Sequence, residues 1–92
     1  MALEVRDAPD RSRYELLDDG EVVGFADYRD DGTQVLFPHT VINPDRRGGG
    51  LGAVLVRHAL DDVRAKGRTI VPTCWFVAEF VDLHPEYADL VA

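Results

Sequence analysis

The sequence predicts an α+β fold on one mixed sheet, an antiparallel β-meander followed by helix, strand and helix in the order ββββαβα. Three observations predict it. Two Asp-Gly steps divide the first part of the chain into alternating segments. After Asn43-Pro44 the hydrophobic period lengthens from two residues to that of a helix. A β-branched segment, Thr69 to Cys74, then resumes the sheet.

Leu3-Glu4-Val5-Arg6 alternates and stops at Asp7-Ala8-Pro9-Asp10, which reads as a short first strand running into a turn. Arg13 to Leu17, Glu21 to Tyr28 and Thr33 to Ile42 follow as three strands. They are joined by Asp18-Asp19-Gly20 and Asp30-Asp31-Gly32, whose glycines supply the positive φ of a tight hairpin. Leu55, Val56, Ala59, Leu60 and Val63 form one apolar stripe, with Arg57, Asp61 and Arg64 opposite. That helix opens near Gly50 and closes at Lys66-Gly67. Trp75 to Leu83 is apolar enough for a second helix, stopped around His84-Pro85, with Glu86 to Ala92 as a last helical turn or a docked tail. Trp75 and Phe76 read as core packing.

Ninety-two residues are expected to make one domain, 1–92, and a chain of this length buries only about 60–65% of its unfolded surface. With a single cysteine, Cys74, no internal disulfide or cysteine-based zinc cluster is possible, which fits a reducing compartment. No stretch approaches a membrane span, and the first residues are too charged for the apolar core of a signal peptide, so a cytoplasmic location is expected. A net charge of −7 opposes nonspecific nucleic-acid binding. The basic residues are scattered apart from Arg46-Arg47, a local spot suited to one small phosphorylated ligand.

That spot opens the segment Asp45-Arg46-Arg47-Gly48-Gly49-Gly50-Leu51-Gly52, between the fourth strand and the first helix. Glycines let successive backbone N–H groups converge on an anion, and the helix N-terminus that follows adds the positive end of its dipole. Three phosphate loops compete for these residues. The nucleoside-triphosphatase P-loop lacks its Gly-Lys-Ser/Thr here. The dinucleotide fingerprint can be laid on Gly48, Gly50 and Ala53, but the acid it needs about 20 residues later is absent from Ile70-Val71-Pro72. The third is the coenzyme A loop Gln/Arg-x-x-Gly-x-Gly/Ala, which Arg47-Gly48-Gly49-Gly50-Leu51-Gly52 matches at every fixed position.

Together with Gly24 to Asp27, Asp30-Asp31-Gly32, Phe37-x-His39-Thr40 and Thr73-Cys74-Trp75-Phe76, that loop resembles the small stand-alone branch of the Gcn5-related N-acetyltransferases. The resemblance spans most of the chain. It implies a GNAT-like sheet with a cofactor cleft at splayed central strands. It also implies that Arg46, Arg47, Gly48, Gly49, Gly50, Leu51 and Gly52, with Val41 and Ile42 of the preceding strand, bind acetyl-coenzyme A. The helices with which larger members cradle the acceptor are missing. Pro38 departs from the family's usual run and interrupts sheet hydrogen bonding unless it sits at a bulge.

The implied reaction is direct transfer of an acetyl group to an amine, a lysine or peptide N-terminus among the acceptors, for which an acidic surface suits a basic peptide. His39 is the candidate base, near the end of the strand before the loop, because histidine is the side chain type that exchanges a proton near neutral pH. The plainer account is a hydrogen-bonded strand histidine. His58 on the helix and His84 in the Pro-stopped turn are explained by exposure and capping. The resemblance places Cys74 near the coenzyme A thiol, where it accepts acetyl transiently or protonates the departing thiolate; a plain buried cysteine fits equally well. A non-catalytic domain that holds acetyl-coenzyme A as a sensor or interaction module would use the same loop. Turnover with an amine separates the two.

Overall fold

Hairpin formation dominates the first half of the chain. A computed structural model describes residues 2–92. Strands β1 (Leu3–Ala8), β2 (Arg13–Asp18), β3 (Glu21–Asp30) and β4 (Gln34–Ile42) precede helix α1 (Leu51–Ala65), strand β5 (Thr69–Val71) and helix α2 (Trp75–Leu83). Short 3-10 turns occupy Pro9–Arg11, Pro44–Arg46 and Pro85–Leu90. The five strands lie in the order β1-β2-β3-β4-β5, with every pair antiparallel except β4 and β5. This is the expected ββββαβα order.

Both Asp-Gly turns form as read. Asp19 and Gly20 have φ of 50° and 85°, matching the twist of the flanking strands. In the second turn Gly32 has φ 93°, and the Asp31 carboxylate accepts from the amides of Thr33 and Gln34 at 2.9 and 2.7 Å. The first strand runs two residues past the predicted end, because Asp7 and Ala8 still pair with Tyr14 and Arg13 before Pro9 turns the chain.

Helix α1 buries Leu51, Leu55, Val56, Ala59, Leu60 and Val63, the predicted stripe plus its first residue. They pack with Tyr14 and Leu16 of β2, Ala26 and Tyr28 of β3 and Phe37 of β4, all on one face of the sheet. Val77, Phe80 and Val81 of α2 and Tyr87 and Leu90 of the tail join this core. The helix ends where Gly67 adopts φ 71°. The tail docks onto the sheet: Val91 bridges Ile70 in parallel, and the Ala92 amide donates to the Ile70 carbonyl at 3.0 Å.

Strand β5 departs from the sequence reading. It was expected to reach Cys74 but stops at Val71, since Pro72 has no N–H to give a ladder and Thr73 N turns back to Val71 O at 3.1 Å. Cys74 instead becomes the N-cap residue of α2.

One extra residue in β4 fixes the layout of the far end. Asp27 stands opposite His39, whereas Arg29 stands opposite Leu36, so Phe37 and Pro38 share the place facing Tyr28. Pro38 thus sits in a β-bulge, exposed, beside the buried Phe37. Side chains alternate along a strand, and the bulge shifts that alternation by one. Thr40, opposite Ala26, faces the helices; His39 and Val41, opposite Asp27 and Phe25, face the other way.

Candidate functional site

The pairing of β4 with β5 covers only Gln34 to Leu36. Just beyond it the Phe37 carbonyl accepts from the Cys74 amide at 2.8 Å and the Thr73 hydroxyl at 3.2 Å. From Pro38 onward the strand has no neighbour on that edge among the described residues, and the chain after Val71 swings away into α2. The result is a fork whose crotch is Phe37 and Cys74.

A cleft of about 630 Å³ opens from this fork, walled by the end of β4, the Arg46 to Ala53 segment and the start of α2. Its floor is the N-terminus of α1. The first bond of the helix runs from Val54 N to Gly50 O at 3.2 Å, so the amides of residues 51 to 53 precede the hydrogen-bonded ladder. No side chain caps them, and no acid stands in the first turn. Gly48 and Gly50 have φ of 88° and 74°, a backbone that L side chains adopt with strain. A Cβ added at Gly48, Gly49 or Gly50 would meet nothing within 4 Å, so the loop leaves open space in front of its amides. The remaining glycine of the segment closes a contact instead. At Gly52 a Cβ would lie 2.6 Å from the Phe76 ring, which locks α1 against α2.

Arg46 lines the cleft and bonds the Asp18 carboxylate in the β2–β3 hairpin, tying the loop to the sheet. That bond is the main cause holding the Asp18 carboxyl below its usual range and raising the Arg46 pKa. Arg47 is more exposed and also lines the cleft. Cys74 is buried, with its thiol 3.7 Å from the Thr40 hydroxyl.

A family model for GCN5-related N-acetyltransferases matches residues 13–90, nearly the whole chain. The chain belongs to this family. Members of the GCN5-related family transfer acetyl groups from acetyl-coenzyme A. Among solved structures, the chain is similar to a GCN5-like protein from Staphylococcus aureus, with a TM-score of 0.72 at 19% identity, covering 98% of this chain and 88% of that one. It is also similar to ribosomal-protein-alanine N-acetyltransferase from Brucella melitensis biovar Abortus 2308 (TM-score 0.60, 22% identity, 91% of this chain and 64% of that one). N-acetylglutamate synthase from Neisseria gonorrhoeae, solved with coenzyme A and N-acetyl-glutamate, matches at a TM-score of 0.57 and 18% identity, over 76% of this chain and 19% of that one. These likenesses establish the family's fold. No curated protein sequence matches significantly.

For this GCN5-related domain, Ile42, Arg46, Arg47, Gly48, Gly50, Leu51, Gly52 and Cys74 all line the one cleft. Gly49 lies on the same loop outside the lining, and Val41 and His39 lie on the opposite face of β4. His39 is exposed, with its ring 6.5 Å from Phe25. Thr40, Ala53, Trp75 and Phe76 complete the lining and were not among the expected site residues. Thr40 was within reach, since alternation from Ile42 puts both on one face. Trp75 corrects the core reading: it is 73% exposed at the cleft mouth, because α2 starts there and turns this position outward. His58 is exposed on α1, and His84 bonds the Phe80 carbonyl at 2.8 Å while stacking on its ring, in keeping with structural roles. Among the described residues no three His, Cys, Asp or Glu side chains are grouped to hold a metal, and no helix is long and apolar enough to cross a membrane.

The donor set suits the pyrophosphate of coenzyme A. Open amides at a helix N-terminus and two guanidinium groups complement the anion, and the glycine loop leaves it room.

Proposed function

We propose that this domain binds acetyl-coenzyme A in the cleft and acetylates an amine. The reading rests on one convergence: the arginine-glycine loop, the unpaired edge of β4 and Cys74 meet around a single cavity. Acetyl-coenzyme A supplies an acyl carbon activated by its thioester and a thiolate leaving group. The amides of Leu51 to Ala53, with Arg46 and Arg47, hold the phosphate end. The free edge of β4 around Thr40 to Ile42 offers N–H and C=O groups to an extended amide-bearing arm, as an edge strand does to a peptide. Cys74, at the N-cap of α2, stands where a thiol proton is available to a leaving thiolate or where the sulfur itself takes up acetyl. His39, on the outer face of β4, is the residue to remove a proton from an incoming amine. The separation of His39 from the cleft lining favours a second reading, a non-catalytic domain that holds acetyl-coenzyme A as a sensor.

A thermal melt with acetyl-coenzyme A tests binding. Ligand at a hundredfold over its dissociation constant adds about 2.7 kcal/mol, and each kcal/mol is worth about 4–8 °C here. A shift together with thiol release in the presence of amines supports the enzyme; a shift without turnover supports the sensor. No shift at saturation removes both. In the active case His39→Ala is expected to spare binding and slow turnover, while equal loss of both would discard its role as base.

A further inference from the structure

The face of the sheet opposite the helices carries a charge pattern unlike the rest of the chain. Three guanidinium groups converge there on the fully covered Glu15: Arg6 at 3.1 Å, Arg11 at 3.1 Å and Arg13 at 2.7 Å. Arg13 also lies 4.4 Å over the ring of Phe25. Arg29 shares this face by alternation along β3, while the only acids that strands β1 to β3 place there are Glu4, Glu15 and Asp27. In a chain of net charge −7 these strands thus balance three acids on this face with three cations, Arg6, Arg13 and Arg29, and Arg11 joins them from the turn after β1. The register sets Arg13, Asp27 and His39 side by side on three neighbouring strands, a row about 10 Å long at the usual strand spacing.

We infer that the acetyl acceptor is an amine carrying an anionic group, bound along this row. This rests on the proposed acetyltransferase reading. Helices cover the other face, so the outer face is the one left open beside His39. Asp27 attracts the protonated amine next to His39. The arginine cluster, three cations against one buried carboxylate, attracts a carboxylate or phosphate at the other end. A polycationic peptide meets repulsion at that end.

The test uses three amines of equal length, 6-aminohexanoate, hexylamine and 1,6-diaminohexane, titrated into the protein while amide NMR shifts are followed, with and without coenzyme A. The expected result is that 6-aminohexanoate shifts the amides of residues 13, 27 and 39 and binds more tightly than the other two. Arg13→Gln should weaken this by about tenfold and Arg13→Lys should restore part of it. Arg11→Gln, on the exposed rim, should act in the same direction if Arg13→Gln loses the fold. Equal or tighter binding of hexylamine or the diamine, or no shift with 6-aminohexanoate at tens of millimolar, overturns the inference. Failure of coenzyme A to shift the amides of residues 48 to 53 instead overturns the cofactor reading, and the outer-face titration stays readable.

Discussion

The two edges of β4 have opposite fates. Toward β3 it is paired from Val35 to Ile42, interrupted only at the bulge. Toward β5 it is paired for three residues and then stands free. The difference comes from what each neighbour offers. β3 is a ten-residue strand whose Gly24 lets the backbones close up, a Cβ there meeting Val41 O at 2.9 Å and Ile42 Cδ1 at 2.6 Å. β5 ends at Val71, before Pro72, and the chain is led away into α2. A closed edge holds the fold, and an open one leaves backbone groups for a ligand.

The largest effect is expected from breaking the closed edge. Gly24→Ala should push β3 and β4 apart and cost about 2 kcal/mol, lowering Tm by about 8–16 °C in a melt without ligand. Gly50→Ala sharpens the contrast on the open edge. Its side chain meets only space, so the cost is about 1 kcal/mol of left-handed backbone strain, while the Tm shift given by acetyl-coenzyme A should be lost. Gly52→Ala is expected to cost about 1 kcal/mol, because the tip of the half-buried Phe76 ring must swing aside, and to weaken coenzyme A binding by displacing Phe76. Asp18→Asn should leave Tm nearly unchanged and weaken coenzyme A binding by roughly threefold, as the charge-assisted bond from Arg46 to the hairpin is weakened.

Acid sharpens the comparison in a different way. Burial opposes ionisation of Glu15, and its bonds to Arg13, Arg6 and Arg11 outweigh that, so its folded pKa lies below the usual 4.5. A depressed carboxyl stabilises the fold above its unfolded pKa, and that stability is lost as pH falls through the folded value. Stability should therefore fall off below about pH 4.5, and Glu15→Gln should flatten that limb of a Tm-against-pH curve.

Local signals carried most of the fold. The Asp-Gly turns, the stripe from Leu55 to Val63 and the arginine-glycine loop are each written in consecutive residues, and each formed where read. The bulge was legible as a condition on Pro38, but not its consequence, because the face of His39 depends on register with β3. The shortening of β5 depended on a proline competing with β-branched neighbours. The cover over Glu15 is not legible in the sequence, because Arg6, Arg11 and Arg13 come together only through strand pairing. The lock between Gly52 and Phe76 joins residues far apart in the chain.

A single inserted residue at Phe37-Pro38 decides which residues of β4 address each of two compartments. Beyond it, Thr40 and Ile42 look into the cleft while His39 and Val41 look out on the opposite surface. Neighbouring positions are thereby decoupled. Substitutions on one parity of β4 can change the outer surface without disturbing the cleft, so under the proposed function a lineage built on this strand is free to change acceptor while keeping its donor.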